Sequence, residues 1–167
     1  MIYKIFIFLL LFSNLSYSDN KNQLLLHKEP KKLEQLELFD MDGKKYVFSS
    51  KTNKTLIINF WATWCPPCIK EIPELIELKK KLNNKVEILF VSVDQNATKI
   101  VPKFLKKNNL SDIKVFNDQT LDISKGLDVS VMPTSIVINK KFEEISRVIG
   151  YIDWLDEESI SFVKQSL

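Results

Sequence analysis

Histidine and arginine are almost absent from this chain, and each shortage removes a class of function. One histidine, His27, and one arginine, Arg147, stand among 167 residues. A nucleic-acid surface clusters its positive charge and leans on arginine for two-pronged contacts. Here 24 basic residues, nearly all scattered lysines, face 21 acidic ones for a net charge of +3, so nucleic acid is not an expected partner. A cysteine hydrolase needs an imidazole base, and the body of the chain beyond His27 has none. Glycine is scarce as well, at three residues, and the absence of any fixed-period repeat excludes fibrous and solenoid architectures. With 45% hydrophobic residues, the length suits one domain around one core.

A long apolar run is also missing. Lys4 precedes the unbroken stretch Ile5 to Phe12, which even extended through Leu15 falls short of the about 20 residues that span a bilayer as a helix. Ser16-Tyr17-Ser18 then has the small-x-small form of an export cleavage site. Residues 1–18 therefore read as a signal peptide, with an uncleaved anchor in the inner membrane as the alternative, and the mature protein is expected in the periplasm. No cysteine follows the run, so lipid attachment is not expected. Residues 19–33 are polar and lysine-rich and read as a mobile spacer, leaving 34–167 as the folded domain.

Within that domain, Leu36 to Phe39 and Tyr46 to Phe48 flank Asp42-Gly43, a turn dipeptide, and predict an N-terminal hairpin. Leu56 to Trp61 lacks a polar face, as a strand covered on both sides must. Ile69, Ile72, Leu75, Ile76 and Leu82 recur at helical spacing from a start near Pro66, with Pro73 as an expected kink. Val86 to Val93 predicts a second buried strand, and Pro102 the first turn of another helix. A short strand at Val115-Phe116, a helix over 119–125 and a strand pair at 135–139 and 145–149 follow. Asp153 is the expected cap of a last helix opened by Asp156, Glu157 and Glu158, with Ile160, Val163 and Leu167 as its buried stripe. Strands alternating with helices, then a hairpin and a helix, predict an α/β fold with a central mixed sheet flanked by helices on both faces.

The chain has two cysteines, and both lie in Trp64-Cys65-Pro66-Pro67-Cys68, where the buried strand gives way to the helix. A thiolate there meets unpaired backbone N–H groups and the positive end of the helix dipole, which lower its pKa below the free value of about 8.5. Cys65 is thus the expected attacking sulfur, and Cys68, one turn deeper, the resolving one. Pro66 and Pro67 each remove an N–H that would stabilise the Cys65 thiolate, which favours a dithiol that gives up electrons readily. Other readings fit less well. Zinc wants four ligands and no second cysteine pair exists, so no metal is expected. An inert disulfide closing so short a loop adds little stability.

Phe60-Trp61-Ala62-Thr63-Trp64-Cys65-Pro66-Pro67-Cys68, with Glu71 and Pro73, resembles the TlpA/ResA/DsbE family of thioredoxin-like proteins. So do Phe116-Asn117-Asp118-Gln119, Val131-Met132-Pro133-Thr134-Ser135, and Gly150 followed by Trp154, a combination closest to TlpA. The resemblance implies a thioredoxin-like fold and an exported thiol:disulfide oxidoreductase that reduces cysteine pairs of client proteins without a cofactor. It implies clients in cytochrome c or cytochrome oxidase copper-site assembly, a membrane electron donor and action as a monomer. By position, Pro133 matches the family's cis-proline, which lets the backbone of Met132 pair with a substrate strand. Trp64, Pro66, Pro67 and Thr134 complete the expected substrate surface. Glu71 matches a glutamate that tunes the cysteines, and burial beside thiols would let it carry a proton to or from Cys68. The chain departs from the family in the turn Asn139-Lys140-Lys141-Phe142, where a glycine is usual. An oxidant that introduces disulfides and a copper-binding chaperone are the alternatives.

Overall fold

A computed structural model describes residues 23–167, so the expected export signal at 1–18 lies outside the described residues. The strands are β1 (Gln23–Lys32), β2 (Gln35–Asp40), β3 (Lys45–Ser49), β4 (Thr55–Trp61), β5 (Val86–Ser92), β6 (Val115–Asn117), β7 (Thr134–Ile138) and β8 (Glu143–Ile149). The helices are α1 (Pro66–Lys81), α2 (Ala97–Lys107), α3 (Asp122–Gly126) and α4 (Glu157–Gln165). All the strands join one eight-stranded sheet in the order β1-β8-β7-β4-β5-β6-β2-β3. Among the described residues, no helix is long and apolar enough to cross a membrane.

β4 lies inside this sheet, parallel to β5 and antiparallel to β7, and every one of its residues is buried. Its alternating side chains show where the helices sit. Asn59 reaches Glu71 on α1, Thr55 donates to the carbonyl of Ser166 just after α4, and Trp61 packs on Phe104 of α2. Residues two apart share a face, so α1, α2 and α4 cover one side. Ile58 points the other way, in register with Ile136 and then Arg147, whose guanidinium donates to the carbonyls of Leu127 and Asp128 behind α3. The second face is therefore covered from the α3 end, and the mixed sheet carries helices on both sides as expected.

Four local expectations need correction. The segment read as a spacer is, from Gln23 to Lys32, the edge strand β1, paired antiparallel with β8. Pro102 lies inside α2, which starts five residues earlier at Ala97. α3 starts at Asp122, because Leu121 turns to φ 61° and the Asp118 carboxylate takes the N–H groups of Ile123 and Ser124. The cap of α4 is Asp156, accepting from Ser159 N at 2.6 Å, while Asp153 accepts from Leu155 N in the preceding turn. Where the family's glycine is missing, Phe142 itself takes φ 64°. Its buried ring and the Asn139 side chain, which accepts from Lys141 N and Glu143 N, hold that unfavourable geometry.

β1 is tied down by charge as well as by its ladder. Arg147 grips Glu144 with two hydrogen bonds of 2.7 and 2.9 Å, and His27 Nε2 lies 2.6 Å from the same carboxylate. Burial would raise the Glu144 carboxyl, but the bonds from Arg147 and His27 outweigh it and hold the group below its ordinary pKa. Removing one partner strands a buried charge. Arg147→Met is expected to cost about 3–5 kcal/mol, read as a lower urea midpoint at unchanged slope, and Glu144→Gln added to it should recover part of that loss.

Candidate active site

The β4 to α1 junction is built by burial on one side and a buried carboxylate on the other. Val93 N donates to Trp61 O at 3.0 Å, extending the β4–β5 ladder to the end of the strand. Asp94, 2% exposed, then accepts from Thr63 N, Thr63 Oγ1 and Ser92 Oγ at 2.9, 2.7 and 2.8 Å. Those bonds fix the loop that carries Trp64 and Cys65. Sequence reasoning missed Asp94, whose only signal is an acidic residue directly behind a buried strand.

Cys65 occupies the N-cap of α1, with Pro66 and Pro67 as the first two helical residues. The two cysteines form a disulfide with Cα atoms 5.3 Å apart. Cys65 is 4% exposed and Cys68 not at all, so of the two cysteines Cys65 is the outer one, on the side from which a group would approach. An N-cap acceptor bonds the N–H of the second or third helical residue. The second is Pro67, so in the dithiol state Cys68 N–H is the one such donor left for Cys65.

Met132–Pro133 is a cis peptide bond. Pro133 and Thr134 are buried. Pro133 O accepts from Gly150 N at 2.8 Å, and Thr134 Oγ1 donates to Val131 O at 2.7 Å, so the Thr134 side chain is occupied within its own loop. Met132 and Trp64 instead meet in a cleft of about 710 Å³ whose wall includes Thr63, Ile100, Leu121 and Val129. Trp64 is 66% exposed and is therefore cleft surface, not core. Pro66 and Pro67 lie exposed at the helix start.

Glu71 is fully buried one turn beyond Cys68. One of its oxygens accepts from Asn59 Nδ2, which also donates to Ser135 Oγ at 2.9 Å, and the other from Trp154 Nε1 at 3.2 Å. Burial pushes its pKa up to about 7; the bonds from Asn59 and Trp154 work against that rise, and the charge of Glu74 adds to it. Glu74 in turn accepts from Tyr151 Oη at 2.8 Å, which ties the 151–154 segment to α1. The Trp154 partnership was not foreseen, although a buried indole N–H usually finds an acceptor.

Comparison with known proteins agrees with this geometry. Residues 28–157 match the sequence profile of the Redoxin family. The chain is 36% identical over 113 residues to the thiol-disulfide oxidoreductase ResA of Bacillus cereus (strain ZK / E33L), covering 66% of this chain and 64% of that protein. It is 32% identical over 114 residues to ResA of Bacillus subtilis (strain 168), covering 68% and 63%. The matched region thus spans just under two thirds of these relatives. Among solved structures, a putative thiol:disulfide interchange protein DsbE from Chlorobium tepidum superposes with a TM-score of 0.67 at 22% identity, covering 83% of this chain and 94% of that one. A DsbF homologue from Corynebacterium diphtheriae gives 0.69 at 20%, covering 90% and 96%. The structural likeness is one of fold.

Proposed function

The chain belongs to the Redoxin family and has a thioredoxin-like fold, and from that premise we propose that it is an exported thiol:disulfide oxidoreductase that reduces disulfides of client proteins. The observation that carries the reading is the Cys65–Cys68 disulfide at the first turn of α1, with Cys65 the outer and Cys68 the fully buried residue of the pair.

In the dithiol state the Cys65 thiolate attacks one sulfur of a client disulfide, forming a mixed disulfide and expelling the other client sulfur as a thiolate. Cys68 then loses its proton and attacks Cys65 Sγ. The intramolecular disulfide re-forms, the second client thiolate leaves, and two electrons have passed to the client. Glu71, buried one helical turn beyond Cys68 with its pKa pushed up to about 7 by burial, is the acceptor for the Cys68 proton. Trp64 and Met132 offer the client an apolar surface, and the backbone beside Pro133 an edge on which to lie. No cofactor enters these steps. Clients in cytochrome c or copper-site assembly, and a membrane donor that restores the dithiol, are the partners that this chemistry and the family suit. The work is that of a monomer in the periplasm.

Direction is the point that separates this reading from a disulfide-introducing oxidant. The two prolines leave the Cys65 thiolate short of donors, which favours the reductant. Equilibration with glutathione buffers, read by thiol alkylation, is expected to give a potential nearer that of thioredoxin, about −270 mV, than the about −120 mV of a strong oxidant. A value at the oxidising end would reverse the assignment. The copper-chaperone alternative pairs two cysteines with a distant imidazole, and the one histidine of the chain, His27, is engaged by Glu144.

A further inference from the structure

The apolar cleft beside the disulfide does not end at Ile100. A second cleft of about 370 Å³ shares Thr63 and Ile100 with it and runs along α2 past Phe104, bordered by Lys99, Lys103 and Lys107. These lysines are spaced four apart, so they form one row on the helix, and all three are exposed. Like charges at that spacing weaken a helix. Among the described residues, none of the three ammonium groups has a carboxylate within 4.0 Å. A fourth exposed lysine, Lys125, stands on the wall of the first cleft. The one carboxylate lining either cleft is Asp94, which is buried and already takes three donors from Thr63 and Ser92. The rim beside the disulfide is therefore positive, in a chain whose overall charge is only +3.

We propose that this row reads acidic side chains flanking the client's cysteine. The inference rests on the reductase reading above. The client segment lies extended, with apolar side chains on Trp64, Ile100, Leu121 and Met132, and its Asp or Glu residues continue along α2. From Lys99 to Lys107 the helix rises about 12 Å. That is about four residues of extended peptide, so the acidic residues fall within a short stretch on one side of the cysteine pair. Opposite charge at a cleft mouth also speeds encounter, so the preference belongs to the second-order rate and weakens with salt.

The test uses the full chain, pre-reduced, and synthetic peptides that each hold one disulfide between two cysteines with leucine beside them. Three aspartates, three glutamines or three lysines are placed on one flank or the other. The expected result is that one of the two aspartate peptides is reduced roughly tenfold faster than its glutamine counterpart at low ionic strength, with the advantage lost at high salt. In Lys99→Glu/Lys103→Glu/Lys107→Glu the ratio should invert in favour of the lysine peptide, and Lys103→Glu alone should move it part of the way if the triple variant folds poorly. Equal rates for aspartate and glutamine peptides, or a preference that survives the charge reversal, would overturn the proposal. So would a row that serves only to bind vesicles of phosphatidylglycerol, with no peptide preference. Failure of the reduced protein to act even on uncharged hydroxyethyl disulfide would instead sink the reductase reading beneath it.

Discussion

Cys65→Ser is expected to reduce turnover of a client disulfide by on the order of 10³ or more, because the only other cysteine, Cys68, is fully buried and cannot begin the exchange. Cys68→Ser should be equally unable to turn over, yet for a different reason. The first attack needs only Cys65, so this variant still opens the client disulfide and then stalls with the client covalently attached. Non-reducing electrophoresis distinguishes the two: an adduct that dissolves in dithiothreitol for Cys68→Ser, and none for Cys65→Ser. Adducts on both variants, or on neither, would mean that the roles of the outer and inner sulfurs have been misread. The trapped adduct also identifies the client by mass spectrometry.

Glu71→Gln is the second large effect, and it is read through pH. A carboxyl whose pKa rises from 4.5 to about 7 on folding binds its proton more tightly in the native state. Its contribution to stability is then complete below about pH 4.5 and is lost as pH climbs through about 7. The loss is on the order of 3 kcal/mol. The oxidised wild-type protein should therefore become less stable across that interval, and Glu71→Gln should flatten the slope. Glu144 does not obscure the comparison, since its lowered pKa places its own stabilisation above the usual carboxylate range and its loss at more acid pH. Besides Asn59 and Trp154, the charged neighbour that bears on Glu71 is Glu74 on the same helix. Trp154→Phe removes one donor to the carboxylate and should move the same slope to higher pH. If Glu71 also takes the Cys68 proton, Glu71→Gln slows resolution of the mixed disulfide by about 10² near neutrality. A slope unchanged by Glu71→Gln would show that the carboxyl is not the group titrating.

What the sequence made legible was whatever a single segment declares by itself. Leu56 to Trp61 has no polar face and is the strand buried on both sides; Pro66 and Pro67 mark a helix start, and Cys65 caps it. β1 was not legible, because Lys28, Glu29, Pro30 and Lys31 look like linker, whereas the strand is made by Gln23 to Leu26 and Lys31-Lys32 pairing with β8 on either side of an irregularity. Pro102 shows the limit of a local rule. A proline suits the first turn, but burial of Ala97, Val101 and Leu105 on one face carries α2 through it. The site divides in the same way. The cysteines, Glu71 and Met132-Pro133 announce themselves by spacing and motif, whereas the Trp154 bond to Glu71 joins residues 83 positions apart and depends on how the 151–154 segment returns to α1. Asp156 displaced Asp153 as a cap for a simpler reason: only the residue directly before Glu157 can reach the free N–H of Ser159.

An open β-sheet invites a second copy to dock along its bare margin and so to begin aggregation. Here the margin beyond β8 is occupied by β1, whose exposed Lys28, Pro30, Lys31 and Lys32 supply like charges and a position without an N–H. The stretch that reads as a mere leash thus works as a selvedge that discourages strand-to-strand pairing along that margin.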